Sequence, residues 1–152
     1  MDSADKQQVF RFFIEVGIIA NLGAKIIEKH LPHRLTNIHF GMLNHLALRP
    51  NGAVPKQMAF AFQIPKTSMT HMLRVLEELE LICVEPNPDD ARSKLARIKP
   101  KGLALIDAAV NAAADEFESL EDRVDINAMI EILKPLAAIR EELDQARNIR
   151  VD

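Results

Sequence analysis

Apolar residues recur every three or four positions over residues 5–30, which predicts one long helix at the start of the chain. Phe10, Ile18 and Leu22 add apolar surface outside that stripe, so most of the circumference is apolar. A helix of this kind has to be covered on more than one side. Because one globular layer cannot do this, we expect the helix to pack against a second copy across a two-fold axis.

Three shorter helices are predicted next. Thr36 is suited to cap a helix over about 37–48, and the Pro, Asn and Gly of residues 49–52 then form a loop. Further helices are predicted over about 55–62 and 65–80, each with a proline in its first turn, where the missing N–H costs little.

Two short strands are predicted at Leu81–Glu85 and Leu95–Lys99, on either side of a turn-forming run over 86–91. An Ala-rich helix of about twenty residues then opens at Pro100. The last helix is predicted from an Asp125 cap to about 148, with a kink at the internal proline.

This order predicts a mainly α fold with a small β-hairpin wing, that is, a winged helix-turn-helix. We expect residues 1–34 to form an N-terminal dimerisation helix and residues 35–100 the winged domain. Residues 101–152 would supply C-terminal dimerisation helices.

Composition narrows the class of protein. The chain has 152 residues, of which 48 % are hydrophobic and 27 % charged, as in an ordinary globular domain. A single cysteine, Cys83, excludes an internal disulfide framework and suits a reducing cytoplasm. The sequence shows neither a membrane-length apolar run nor a basic leader, so we expect a cytoplasmic protein without a membrane partner.

Charge is unevenly distributed along the chain. The net charge is −3, yet residues 49–101 hold nine Lys or Arg against six Asp or Glu. A mildly basic middle between acidic ends is compatible with a polyanionic partner, because the local field decides a contact.

The predicted fourth helix has two different faces. Its buried face is predicted to comprise Met69, Met72, Leu73, Leu76 and Leu79. Its opposite face and first turn carry Lys66, Thr67, Ser68, Thr70, His71 and Arg74. Hydroxyl, cationic and imidazole groups donate to phosphate oxygens and read base edges in a major groove. The hairpin adds cations at Arg92, Lys94, Arg97 and Lys99, with Lys101 just beyond it.

From about Leu35 to Asp107 the sequence resembles the MarR family of winged-helix transcriptional regulators. The resemblance rests on residues 35–40, 64–71 and 76–82, and on the wing segment 87–92 with its Asp-x-Arg at Asp90 and Arg92. Lys101-Gly102 fits the start of the following helix.

The resemblance implies a homodimeric regulator, commonly a repressor, that binds a pseudo-palindromic operator in double-stranded DNA. By position, Lys66, Thr67, Ser68, Thr70 and His71 would face bases or phosphates, and Arg92 would be the wing-tip contact. Asp90 would position the wing. The resemblance also implies release from DNA by a small aromatic or anionic effector. We expect no cofactor.

Four positions depart from the family pattern. His71 stands where an arginine is common, so its contact would weaken as pH rises. Gln63 replaces a turn glycine and is strained if that turn needs a positive φ. Val54 replaces a capping Ser or Thr, and Phe60 stands where a polar residue is expected.

Other functions are less favoured by the sequence. Catalysis is disfavoured because no nucleophile–base pattern, carboxylate pair or phosphate loop stands out. Because of Phe60 and its neighbours, a winged-helix adaptor that binds a protein rather than DNA is the alternative function.

Three side-chain groups also have an alternative interpretation. The histidines His30, His33, His39 and His45 have no accompanying Cys-x-x-Cys, so surface or capping roles are favoured over zinc. Cys83 lies mid-strand in an apolar run, which favours an inert thiol over a redox sensor. Packing is favoured over a ligand pocket for the methionines at positions 42, 58, 69 and 72.

Overall fold

The structure, a computed structural model, describes residues 2–119 and 122–149. It divides into two compact units between Ala114 and Asp115. The first unit holds four helices, the hairpin and most of a fifth helix, and the second holds the remaining residues.

Helix α1 spans Ser3–Lys29, which confirms the predicted long helix. It begins earlier than predicted because Asp2 and Asp5 cap it reciprocally. Asp2 Oδ1 accepts from the Asp5 N–H at 2.8 Å, and Asp5 Oδ2 accepts from the Asp2 N–H at 3.3 Å. None of the α1 residues that the structure describes is buried.

Helices α2 (Asn37–Ala47), α3 (Pro55–Ala61) and α4 (Lys66–Glu78) confirm the predicted helical succession. One detail was wrong: Pro65 is not in the first turn of α4 but is its N-cap, with an extended backbone at φ −57° and ψ 146°. Gln63, in the turn between α3 and α4, has a φ of 55°, so this turn does use the left-handed region that favours glycine.

The wing is longer than predicted. Strands β1 (Ile82–Asn87) and β2 (Asp90–Ile98) pair antiparallel, from Ile82 opposite Ile98 to Asn87 opposite Asp90. Only Pro88 and Asp89 lie between the strands, so the expectation that all of 86–91 forms a turn was wrong. Side-chain bonds make this tight turn feasible: Asn87 Oδ1 accepts from the Asp89 N–H at 3.0 Å.

The wing joins the helices along its β2 edge. Ala53, in the segment between α2 and α3, exchanges two backbone hydrogen bonds with Ala96 of β2, at 3.0 and 2.9 Å. An isolated hairpin is at best marginally stable in water. The two bonds between Ala53 and Ala96 therefore help to fix the base of the wing.

The core of the first unit lies between α2, α3, α4 and the hairpin. Its fully buried large side chains are Met42, Leu43, Leu46, Met58, Met69, Leu76 and Ile82. The methionines at 42, 58 and 69 are thus packing residues, whereas Met72 is half-buried beside them. This core holds the faces of α4 in a fixed orientation.

Helix α5 spans Pro100–Glu118, and its predicted end near residue 120 lies outside the described residues. Its buried Gly102 is needed because a Cβ there would collide with the Leu81 carbonyl and lie 2.8 Å from Ile98 Cγ1. Packing therefore explains the glycine of the Lys101-Gly102 pair, which is part of the family resemblance.

Helix α6 spans Ile126–Ile149 and continues through Pro135. Asp125 caps it as predicted, since its Oδ1 accepts from the Ala128 N–H at 3.0 Å. Residues 150–152 of the predicted C-terminal region lie outside the described residues. Among the described helices, none is long and apolar enough to cross a membrane.

Candidate nucleic-acid interface

Helix α4 presents the predicted polar face to solvent. Its exposed residues on this face are Lys66, Thr67, Thr70, His71 and Arg74. Ser68 is half-buried. The opposite face is anchored by buried Met69, Leu73 and Leu76, as predicted, while Val75 is buried although the sequence analysis did not assign it to the core. The helix thus offers hydroxyl and cationic groups from a rigid, packed support.

Arg74 already has neighbours on α4. Its Nη2 lies 3.2 Å from His71 Nδ1, and its Nε lies 3.8 Å from Glu78 Oε1. An arginine donates and cannot accept, so His71 Nδ1 is the acceptor in the contact between them. Exposed ion pairs of this kind are weak, so Arg74 can exchange its partners for a phosphate.

The wing tip carries Arg92 and Lys94, whose side chains are both exposed. Asp90 Oδ1 accepts from the Arg92 N–H at 3.0 Å, which closes an Asx-type turn at the start of β2. This bond fits the predicted role of Asp90 in positioning the wing.

Two of the basic residues around the hairpin have structural partners. Arg97 Nε donates to Glu85 Oε1 at 2.6 Å across the strands, and Arg97 Nη1 donates to the Pro50 carbonyl at 3.1 Å. Lys101 Nζ lies 3.5 Å from Glu80 Oε2. Arg97 therefore braces the base of the wing, whereas Arg92 and Lys94 at the tip are exposed.

An open groove of about 1240 Å³ separates the wing from α3 and α4. The charged residues lining it are Lys56, Arg74, Arg92, Lys94, Glu77 and Asp90. Cations thus outnumber acids, and Thr70, Gln57 and Ser93 add polar groups. Lys56 and Gln57 were missed by the sequence analysis because nothing in the sequence places the start of α3 beside the wing.

The acids at the end of α4 each contact a different part of the first unit. Glu77 Oε1 accepts from the Val84 N–H of β1 at 3.0 Å, and Glu78 Oε2 accepts from Arg34 Nη2 at 2.9 Å. Glu80 pairs with Lys101 and has a positive φ of 61°. These carboxylates hold α4 in place against the wing, the segment before α2 and the start of α5.

His39 is the buried polar side chain under this surface, with 8 % of its area exposed. Its Nδ1 accepts from the Thr36 N–H at 3.2 Å, so the ring stabilises the first turn of α2. Burial, and then the nearby charge of His71, lower the pKa of His39. Its Nε2 has no hydrogen-bond partner in the part of the chain that the structure describes.

The sequence also singled out the histidines and Cys83. Across residues 2–119 and 122–149, no three His, Cys, Asp or Glu side chains are arranged to hold a metal ion. Cys83 is half-buried on β1, opposite Arg97.

A helix-turn-helix whose second helix exposes hydroxyl and cationic groups, followed by a hairpin with a cationic tip, defines the winged-helix class. The sequence model of the MarR family matches residues 34–93, which include α2, α3, α4 and the wing tip. Residues 34–93 are therefore similar to the MarR family of winged-helix transcriptional regulators.

Solved structures share the fold at low sequence identity. A crystal structure of MarR has a TM-score of 0.74 and 22 % identity, and the alignment covers 88 % of this chain and 90 % of that chain. Wild-type MarR in its apo form from E. coli gives 0.67 and 17 %, with coverages of 82 % and 92 %.

A third similar structure contains nucleic acid. A MarR family transcriptional regulator from Streptomyces coelicolor, solved in complex with DNA, has a TM-score of 0.66 and 20 % identity, with coverages of 94 % and 90 %. A search of curated protein sequences gave no match.

Proposed function

We propose that this protein is a dimeric regulator that binds double-stranded DNA in a sequence-specific way. The observation that carries the proposal is that α4 and the wing line the same groove. Thr70 and Arg74 of α4 line it together with Arg92 of the wing. The α4 side of this protein surface thus suits the major groove of a DNA duplex, and the wing side suits the minor groove of the same duplex.

In this proposal α4 enters the major groove with its N-terminal half first. Lys66 and Thr67 lie at that end, where exposed donors reach phosphates and base edges. Ser68, Thr70, His71 and Arg74 extend the contact along the helix, and the acidic C-terminal end is held by protein partners.

The wing would contact the adjacent minor groove. Arg92 at its tip is exposed, and the bond from its N–H to Asp90 limits how the tip can turn. A narrow A·T-rich minor groove concentrates negative potential and attracts arginine. Lys94 would add a phosphate contact on the way to the tip. A protein of the same fold from Streptomyces coelicolor was solved in complex with DNA, which supports DNA binding by this fold.

Dimerisation is proposed from the exposed apolar surface of the terminal helices. In α1, Phe10 is 70 % and Ile19 61 % exposed, and in α6, Ile130 is 59 % and Leu133 60 % exposed. Large exposed apolar faces are rare on monomeric proteins, and a second copy that offers the same faces is the usual cover. A dimer would present two copies of α4 to half-sites about one helical turn apart.

The remaining parts of the proposal rest on the family resemblance. We propose a cytoplasmic repressor that blocks transcription by occupying its operator and is released by a small aromatic or anionic effector. The excess of cations around the groove favours a negatively charged ligand of either kind, DNA or effector.

Selection of bound duplexes from a random library tests the proposed function. We expect enrichment of pseudo-palindromic sites with half-sites about ten base pairs apart. A second candidate is a protein-binding adaptor, favoured by Phe60, which is 50 % exposed and lines the groove. Failure to enrich any duplex, together with salt-independent capture of a protein partner, would support the adaptor instead.

A further inference from the structure

The C-terminal half of α4 contacts the outer edge of the wing through one carboxylate. Glu77 Oε1 accepts a hydrogen bond from the backbone N–H of Val84, in the middle of β1, at 3.0 Å. The chain positions are seven residues apart, and the contact joins the proposed recognition helix to the strand that leads to the wing tip.

The two edges of the hairpin are therefore held differently. On the β2 edge, Ala53 exchanges two backbone bonds with Ala96, and Arg97 reaches the Pro50 carbonyl. On the β1 edge, the Val84 N–H is occupied by the Glu77 side chain. Because the hairpin has two strands, its tilt depends on contacts along both edges.

We propose that Glu77 is a positioning residue that fixes the angle between the wing and α4, and so sets the reach of Arg92 relative to the α4 contacts. This inference rests on the proposed DNA-binding function. From Val84 to Asn87 at the end of β1 the strand advances by about 10 Å. A tilt of about 10° at the base would then move the tip by about 2 Å, more than a hydrogen bond tolerates.

The position of Glu77 is unexpected on electrostatic grounds alone. It lines the groove that DNA would occupy, among Lys56, Arg74 and Lys94. A carboxylate there opposes phosphate, so a residue with no other role would weaken DNA binding. A wing-positioning role provides the compensating benefit.

Two substitutions separate the hydrogen bond from the charge. Glu77→Gln removes the charge but keeps an acceptor oxygen at the same distance along the side chain. Glu77→Asp keeps the charge but shortens the side chain by about 1.5 Å, which withdraws the acceptor from the Val84 N–H. Both side chains are polar and the site is exposed, so both variants are expected to fold.

The first readout needs no DNA. We expect hydrogen exchange of the Val84 amide to be about fivefold faster in Glu77→Asp than in the wild type, and to change little in Glu77→Gln. Equal Val84 exchange rates in all three proteins would overturn the proposal.

The second readout is the coupling between position 77 and Arg92 on a selected duplex. Arg92→Ala is expected to weaken binding by about tenfold in the wild type and in Glu77→Gln, but by less than about threefold in Glu77→Asp, where the tip is displaced. If the Arg92→Ala effect is the same in every background, Glu77 does not position the wing.

The two hypotheses can fail separately. A wild-type protein that binds no duplex would contradict the proposed function, and the Val84 exchange rates would still decide whether Glu77 holds the wing.

Discussion

The guanidinium of Arg34 donates a hydrogen bond to the carboxylate of Glu78 at 2.9 Å, although the two residues are 44 positions apart. This contact joins the segment before α2 to the C-terminal end of α4. The hydrogen bond from Arg34 is the main cause that lowers the pKa of Glu78, and the charges of Arg34, Arg74 and His71 act in the same direction.

Replacing Arg34 should therefore change how Glu78 titrates. A carboxyl group whose pKa is lowered by folding stabilises the folded state at pH values above its pKa in the unfolded chain. This contribution is lost as the pH falls through the pKa of the folded state. We expect Arg34→Ala to raise the pKa of Glu78 and to reduce stability at pH 7 more than at pH 3. Carboxyl NMR titration and urea unfolding measure the two effects.

Arg140→Ala is the matched control for this substitution. Arg140 pairs with Glu141 and Asp144 on α6, and both of its contacts are exposed ion pairs. It should leave the Glu78 titration unchanged. A Glu78 pKa that does not respond to Arg34→Ala would show that the bond is absent in solution.

His39 should make the fold sensitive to acid. Its pKa is lowered in the folded state by burial and then by His71, from an ordinary value of 6.5. The unfolded chain therefore binds a proton first as pH falls below about 6.5, and stability declines there. His45 acts in the same direction, because burial and then Arg49 lower its pKa.

The substitution His39→Gln tests this prediction. Glutamine is a favoured third residue of a helical capping box and carries no titrating group, so the cap can persist without the proton. We expect the Tm of the variant to fall less between pH 7.5 and 5.5 than that of the wild type. His33→Gln, at an exposed position, should keep the wild-type slope, and an unchanged slope in His39→Gln would contradict the assignment.

Gly102 should tolerate no side chain. A Cβ would collide with the Leu81 carbonyl, so Gly102→Ala has to displace backbone at the junction of β2 and α5. We expect a loss of about 2 kcal/mol in urea unfolding. Gly17→Ala is the control, because nothing lies within 4 Å of its Cβ and alanine should stabilise α1 by about 0.5–1 kcal/mol. Equal effects at both positions would refute the packing argument.

The two faces of α4 could be predicted from sequence because they depend on local periodicity. Met69, Leu73 and Leu76 recur at helical spacing, which fixes the opposite face as the exposed one. The positive φ of Gln63 could also be anticipated, since the family pattern has glycine there. Such features depend on a residue and its near neighbours along the chain.

Contacts between distant segments could not be predicted in this way. The acids at and just after the end of α4 look like a solvated cluster in the sequence. Glu77, Glu78 and Glu80 nevertheless each have a partner outside α4. Lys56 could not be predicted for the same reason, because it lines the groove only as a result of α3 packing beside α4 and the wing. The prediction of a turn over 86–91 was wrong because pairing of β1 with β2 overrides the turn propensity of Pro86 and Asn87.

Disrupting the apolar face of α1 should dissociate the proposed dimer. Phe10→Glu places a charge where 70 % of an apolar ring is exposed, and a buried unpaired charge opposes association. In sedimentation at micromolar concentration we expect the wild type at about twice the 17.1 kDa chain mass and the variant at the chain mass. Gln7→Glu adds the same charge at an exposed polar position and should stay dimeric. A stable wild-type monomer would exclude the dimer.

The salt dependence of DNA affinity tests the central claim most directly. On a selected duplex, the logarithm of the affinity should fall steeply with the logarithm of salt concentration, because bound phosphates release counterions. Lys66→Ala and Arg92→Ala should each weaken binding and reduce the slope by about one, whereas Lys6→Ala on α1 should change neither. If Lys66→Ala and Arg92→Ala bind with the wild-type affinity and slope, the exposed face of α4 and the wing tip are not the DNA-binding surface.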